Sequence, residues 1–114
     1  MLRNRSITRS KFINNVDEGI ELSDVIQIIK SNDCVILYSP WCGYSKKALS
    51  LLNQGHVPYM SIDIEKIDAT MNEIRSRLAR ERGFKFPESY STRPMIFMNG
   101  KFIGGYTELI NLLS

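Results

Sequence analysis

The chain alternates between two apolar rhythms, and the switches between them outline its elements. In "GIELSDVIQIIKSND", Leu22, Val25, Ile26 and Ile29 recur at helical spacing, which predicts an amphipathic helix. Three turn-formers in a row, Ser31, Asn32 and Asp33, stop it. "CVILYS", residues 34–39, is a short apolar run rich in β-branched side chains, the pattern of a buried strand. A second helix starts near Cys42, turns Ala48, Leu49, Leu51 and Leu52 inward, and ends at Gly55 as its C′ residue. "PYMSIDIE" alternates, with Met60, Ile62 and Ile64 on one face and Tyr59, Ser61 and Asp63 on the other, a half-buried strand.

Residues 69–82 return to helical spacing, with Asp68 or Thr70 as cap and Met71, Ile74 and Leu78 inward. A loop with three aromatics (Phe84, Phe86, Tyr90) follows at 83–93. Folding back onto the core is its ordinary explanation. Asn99-Gly100 between "PMIF" and "KFIG" is a strong hairpin signal. "YTELINLL" then reads as a closing helix. The order α-β-α-β-α-β-β-α predicts an α/β fold. A strand–helix–strand crossover gives one parallel pair and the hairpin adds antiparallel strands, so helices flank a mixed four-stranded sheet.

Length and charge narrow the function classes. The 114 residues suit one domain with one modest core, and 43% hydrophobic side chains support packing. The net charge of +3 is concentrated in residues 1–16, where Arg3, Arg5, Arg9 and Lys11 meet no acid. The remainder is close to neutral, which argues against nucleic acid as a partner. No apolar run approaches the ~20 residues that span a bilayer, so no membrane partner is expected. Two cysteines, Cys34 and Cys42, are too few for a secreted disulfide scaffold, and a reducing, cytoplasmic setting is expected. The Arg- and Ser-rich, acid-poor leader also fits an organellar address such as the mitochondrion. We therefore divide the chain into a basic tail, 1–16, and a domain, 17–114.

The chemistry centres on "YSPWCGYSKKA", which resembles a Cys-x-x-Cys redox motif whose second cysteine is replaced by Ser45. Cys42 stands where a strand passes into a helix. Unpaired amides at the helix start offer hydrogen bonds and partial positive charge to a thiolate, the reactive form of cysteine. Ser45 is placed to donate to the same sulfur, and Lys46 and Lys47 to add charge. Cys34 begins the strand that ends before Cys42, and Cys34 to Ser39 alone spans ~16 Å. A disulfide needs Cα atoms within ~7 Å, so Cys34 is read as a core residue.

Three segments in this order, "VILYSPWCGYSKKA", "STRP" and "MIFMNGKFIGGYTEL", resemble the glutaredoxin family over about residues 33–114. The resemblance implies a thioredoxin-like fold, here with an extra N-terminal helix, and a monothiol active site, Cys42-Gly43-Tyr44-Ser45. It implies Cys42 as nucleophile and a cis bond between Arg93 and Pro94. It implies glutathione as co-substrate, bound by Tyr44, by Arg93 and Pro94, and by Gly105, Tyr106 and Thr107 at the last helix start. The family has an aspartate where Thr107 stands and a lysine where Ser39 stands. Arg75, Arg77, Arg82 and Lys85 are the candidate replacements for that lysine, against a plainer reading as a solvated face with a Glu73–Arg77 pair. Glutathionylated or disulfide-bearing proteins are the implied partners, and the chain is expected to be a monomer. One alternative is a cluster carrier, two copies and two glutathiones holding [2Fe–2S] through Cys42. Another is a non-catalytic adaptor.

Overall fold

The computed structural model describes residues 19–114. The basic segment 1–16, and the boundary drawn after it, lie outside the described residues. The elements are α1 (Leu22–Ser31), β1 (Cys34–Tyr38), α2 (Gly43–Gln54), β2 (Met60–Asp63), α3 (Met71–Arg80), β3 (Met95–Met98), β4 (Lys101–Gly104) and α4 (Tyr106–Leu113). Short 3-10 turns occupy Ile64–Lys66 and Arg82–Phe84. The order matches that expected from the apolar rhythm.

The sheet runs β2-β1-β3-β4. β1 and β2 are parallel, with Val35 opposite Met60 and Leu37 opposite Ile62. β3 is antiparallel to β1, with Ile36 opposite Ile96, and β4 is antiparallel to β3. β1 is thus central and buried on both faces, which explains its unbroken apolar run. Val35, Leu37, Ile62, Met95 and Phe97 pack beneath α1 and α3, while Cys34, Ile36 and Ile96 pack beneath α2 and α4. Cys34 is buried and unbridged, as its place in the strand requires.

Local chemistry ends the elements. Asn99 and Gly100 both take positive φ, 54° and 77°, which a two-residue hairpin of this twist needs. Thr70 and Glu73 form a reciprocal capping box at α3. α2 does end at Gln54, but Gly55 has φ −84°, and the left-handed residue is His56, at φ 55°. The Glu73–Arg77 pair does not form. Glu73 serves the capping box, while Arg77 and Lys30 both pair with Glu81.

The loop over residues 83–93 does fold back. Phe84 and Phe86 are buried, and Phe86 and Tyr90 pack edge-on against Phe102 at 4.8 and 4.7 Å between ring centres. The Tyr90 hydroxyl donates to the Pro94 carbonyl at 3.3 Å. An aromatic cluster therefore anchors the segment that presents Thr92 and Arg93 to the site.

Candidate functional site

Ser39 follows β1, and the chain turns sharply there: the Cys42 amide donates to the Ser39 carbonyl at 3.0 Å, with Pro40 at a turn position that suits its fixed φ. Cys42 then has extended backbone and serves as N-cap of α2, where its carbonyl accepts the first helical bond, from Lys46. Its sulfur sits over the unpaired first amides of the helix. Burial works against ionisation of Cys42 and is outweighed. The amide and hydroxyl of Ser45, the Tyr44 amide and the Arg93 guanidinium all favour the thiolate, and together they hold the thiol below its ordinary value of 9.0. Burial alone acts on Cys34 and pushes its thiol up. One cysteine is thereby prepared for reaction and the other for packing.

Ser45 is fully buried. Its oxygen accepts the Ser39 amide at 3.1 Å, which leaves its proton for the sulfur. When protonated, the Cys42 thiol points elsewhere and donates to the Arg93 carbonyl at 3.6 Å. Lys46 lies exposed in the first turn of α2, and the cation that acts on the sulfur is Arg93 instead. Lys47 stacks over the rings of Tyr44 and Tyr106, at 5.6 and 6.0 Å. Trp41 is 64% exposed, with the Arg93 guanidinium 5.3 Å from its ring centre.

Beside the sulfur runs a groove of about 320 Å³, lined by Tyr44, Thr92, Arg93, Gly105, Tyr106 and Thr107, with Tyr90 and Glu108 at its wall. Five of the six residues expected to bind glutathione line it. Pro94 is buried behind them, across a cis bond from Arg93. Gly105 is needed for space: a Cβ there would lie 2.6 Å from the Tyr90 hydroxyl. Tyr90, Thr92 and Glu108 were not singled out as ligands from the sequence. Glu108 had a signal, its N3 spacing from Gly105, and its carboxylate accepts the Gly105 amide at 2.8 Å. The amides of Tyr106 and Thr107, next in the helix start, face no side-chain cap. Arg75, Arg77, Arg82 and Lys85 do not line this groove. Arg75 bonds Asn72 and Arg77 bonds Glu81. A larger hollow of about 450 Å³, between the start of α1 and α3, holds no thiol.

A family model described as Glutaredoxin matches residues 34–103, from the first residue of β1 to the end of the hairpin. The chain belongs to the glutaredoxin family. A probable glutaredoxin of Acanthamoeba polyphaga mimivirus is 33% identical over 96 residues, covering 81% of this chain and 91% of that one. Monothiol glutaredoxin-S10 of Oryza sativa subsp. japonica is 28% identical, covering 82% of this chain and 54% of its own. This glutaredoxin thus spans about half the length of that plant relative. Wheat glutaredoxin superposes with a TM-score of 0.62 at 27% identity, over 81% of this chain and 80% of that chain. A buckwheat glutaredoxin–glutathione complex shares the fold, with a TM-score of 0.62 at 22% identity over 90% and 82% of the two chains. The architecture is the thioredoxin-like fold of glutaredoxins with an N-terminal helix, and Cys42-Gly43-Tyr44-Ser45 is a monothiol-type motif.

Proposed function

We propose that this glutaredoxin reduces glutathione–protein mixed disulfides by a cycle that uses Cys42 alone. The observation that carries the reading is the cradle of Cys42. Three donors and one cation favour its thiolate, and Ser45 at the second motif position supplies two of those donors, its amide and a hydroxyl that stands in place of a second sulfur. The loss of a thiol at position 45 is then compatible with a working nucleophile.

In the first step the Cys42 thiolate attacks the glutathione sulfur of the mixed disulfide. A Cys42–glutathione disulfide forms, the original S–S bond breaks, and the protein leaves as thiolate, to be protonated by water. In the second step a glutathione thiolate attacks that new disulfide. Glutathione disulfide leaves and the Cys42 thiolate returns. Each turnover consumes one free glutathione: its sulfur leaves joined to the sulfur of the glutathione from the mixed disulfide, the protein sulfur is released as a thiol, and Cys34 takes no part. The groove fits the co-substrate: an open slot ends at helix amides that suit a carboxylate, and Tyr44 and Tyr106 supply apolar walls.

The [2Fe–2S] alternative draws on the same sulfur. Among the described residues no His, Cys, Asp or Glu cluster could hold a metal, so a cluster would need two copies with two glutathiones to complete four thiolates. The deciding experiment is glutathione-coupled reduction of a mixed disulfide by the wild type and Cys42→Ser. Activity in the first and none in the second is expected. Equal rates overturn the reading, and visible colour after anaerobic reconstitution without reductase activity favours the cluster carrier.

A further inference from the structure

Glutathione carries a carboxylate at each end with its thiol between them. The groove beside Cys42 has a matching receptor at one end, the free amides of Tyr106 and Thr107. At the sulfur itself stands Arg93. We propose that the Arg93 guanidinium receives the glycyl carboxylate of glutathione, an assignment that rests on the reductase reading above.

Arg93 is held but not saturated. Its Nε is buried with no hydrogen-bond partner among the described residues. Its Nη2 meets Glu65 at 3.7 Å, beyond hydrogen-bond range. A guanidinium has five N–H donors in a planar fork that suits a carboxylate, so it has donors to spare. The Trp41 ring lies against the guanidinium at 5.3 Å, and the aromatic anchor of residues 84–90 fixes the backbone from which the side chain springs. The side chain is thus placed ahead of the ligand, which limits the entropy lost on binding.

Among the described residues no other basic side chain lines the groove. Ser39 is fully buried and carries no charge, and Arg75 and Arg77 are engaged elsewhere. Lys47 stacks on Tyr44 and Tyr106, on the α4 side of the groove. Among the described residues, Arg93 alone combines a place in the groove wall with a field felt at the sulfur.

That double position gives Arg93 two roles in one cycle. With Cys42 free, the guanidinium favours the thiolate. Once Cys42 is bound to glutathione its sulfur is neutral, and the charge is released to the carboxylate that has arrived with the ligand. A lysine or arginine set farther from the sulfur would serve only the second role.

The test compares two mixed disulfides of one neutral peptide, with glutathione and with glutathione amidated at the glycyl carboxylate. Free glutathione is the reductant throughout. Wild type should prefer the carboxylate form by about tenfold or more in kcat/KM, the scale of a charge-assisted contact. Arg93→Gln should lose that preference, and Arg93→Lys should keep part of it. The effect of Arg93 on the Cys42 thiolate is common to both substrates and cancels in the ratio. If Arg93→Gln still prefers the carboxylate form as wild type does, the assignment fails while the reductase reading stands. If wild type acts on both forms equally, the assignment also fails. Absence of all reduction by wild type removes the underlying reading itself.

Discussion

The Ser39 amide donates to the Ser45 hydroxyl oxygen at 3.1 Å, joining the end of β1 to the first turn of α2 directly beneath the reactive sulfur. The bond polarises the hydroxyl whose proton is available to Cys42. Replacing the hydroxyl therefore removes a donor from the thiolate and leaves the Ser39 amide unpaired in a buried place. A hydrogen bond to a charged group contributes about 1.5–3 kcal/mol. Ser45→Ala should slow alkylation of Cys42 by iodoacetamide at neutral pH about tenfold, and Ser45→Thr should retain most of the rate. An unchanged rate in Ser45→Ala would show that the helix amides suffice.

The lowered thiol of Cys42 also sets a pH dependence of stability. Its folded-state value lies below the ordinary 9.0 of an unfolded cysteine, so above 9.0 both states are ionised and the stabilising contribution is complete. As pH falls below 9.0 the unfolded state takes up its proton first, and the contribution declines until the folded-state thiol has titrated as well. Cys42→Ser lacks this contribution. Urea unfolding of both proteins should give a stability difference in favour of wild type that grows as pH rises to 9 and then levels off. A difference that shrinks over the same range would mean that the fold raises this thiol.

Thr70 offers a control remote from the chemistry. Its hydroxyl accepts the Glu73 amide at 3.1 Å, and Glu73 answers by accepting the Thr70 amide at 2.8 Å. Thr70→Ala should cost about 1 kcal/mol of stability, the scale of a lost N-cap. Mixed-disulfide reduction should be unaltered, because α3 contributes no side chain to the groove. A loss of turnover without a loss of stability would tie α3 to the site.

What the sequence disclosed follows the range of the forces involved. The Thr70 cap, the Asn99-Gly100 turn and the burial of "CVIL" depend on neighbours within a few residues, so periodicity and turn chemistry reveal them. Cys42 was legible because a strand-to-helix junction is itself a local pattern. The side-chain role of Arg93 was not, since its contacts with Trp41, Glu65 and Cys42 join residues 28 to 52 positions apart, and nothing local distinguishes it from Arg75 or Arg77. The parallel bridge between Ile20 and Ile67, which ties the entry of α1 to the edge beyond β2, was hidden for the same reason. His56, not Gly55, takes the left-handed conformation. The Gly55 amide instead still bonds back to the Leu51 carbonyl, which carries the helical pattern one residue further.

Thr107 stands in the first turn of α4, exposed, on the wall of the groove, where the resemblance set out from the sequence implies an aspartate. The γ-glutamyl end of glutathione carries an ammonium beside its carboxylate. The helix amides of Tyr106 and Thr107 suit the carboxylate, but Thr107 offers the ammonium no charge. Thr107→Asp adds one, and an acid in the first turn of a helix is itself favourable by about 0.3–1 kcal/mol. A solvent-exposed ion pair adds about 0.2–1 kcal/mol more to binding. The variant should therefore be slightly more stable than wild type and should lower KM for a glutathione mixed disulfide by roughly 1.5- to 5-fold at low salt. The gain should fade as ionic strength rises. A mixed disulfide lacking the γ-glutamyl ammonium should show no gain at any salt concentration. An equal gain on both substrates would place the γ-glutamyl end away from α4.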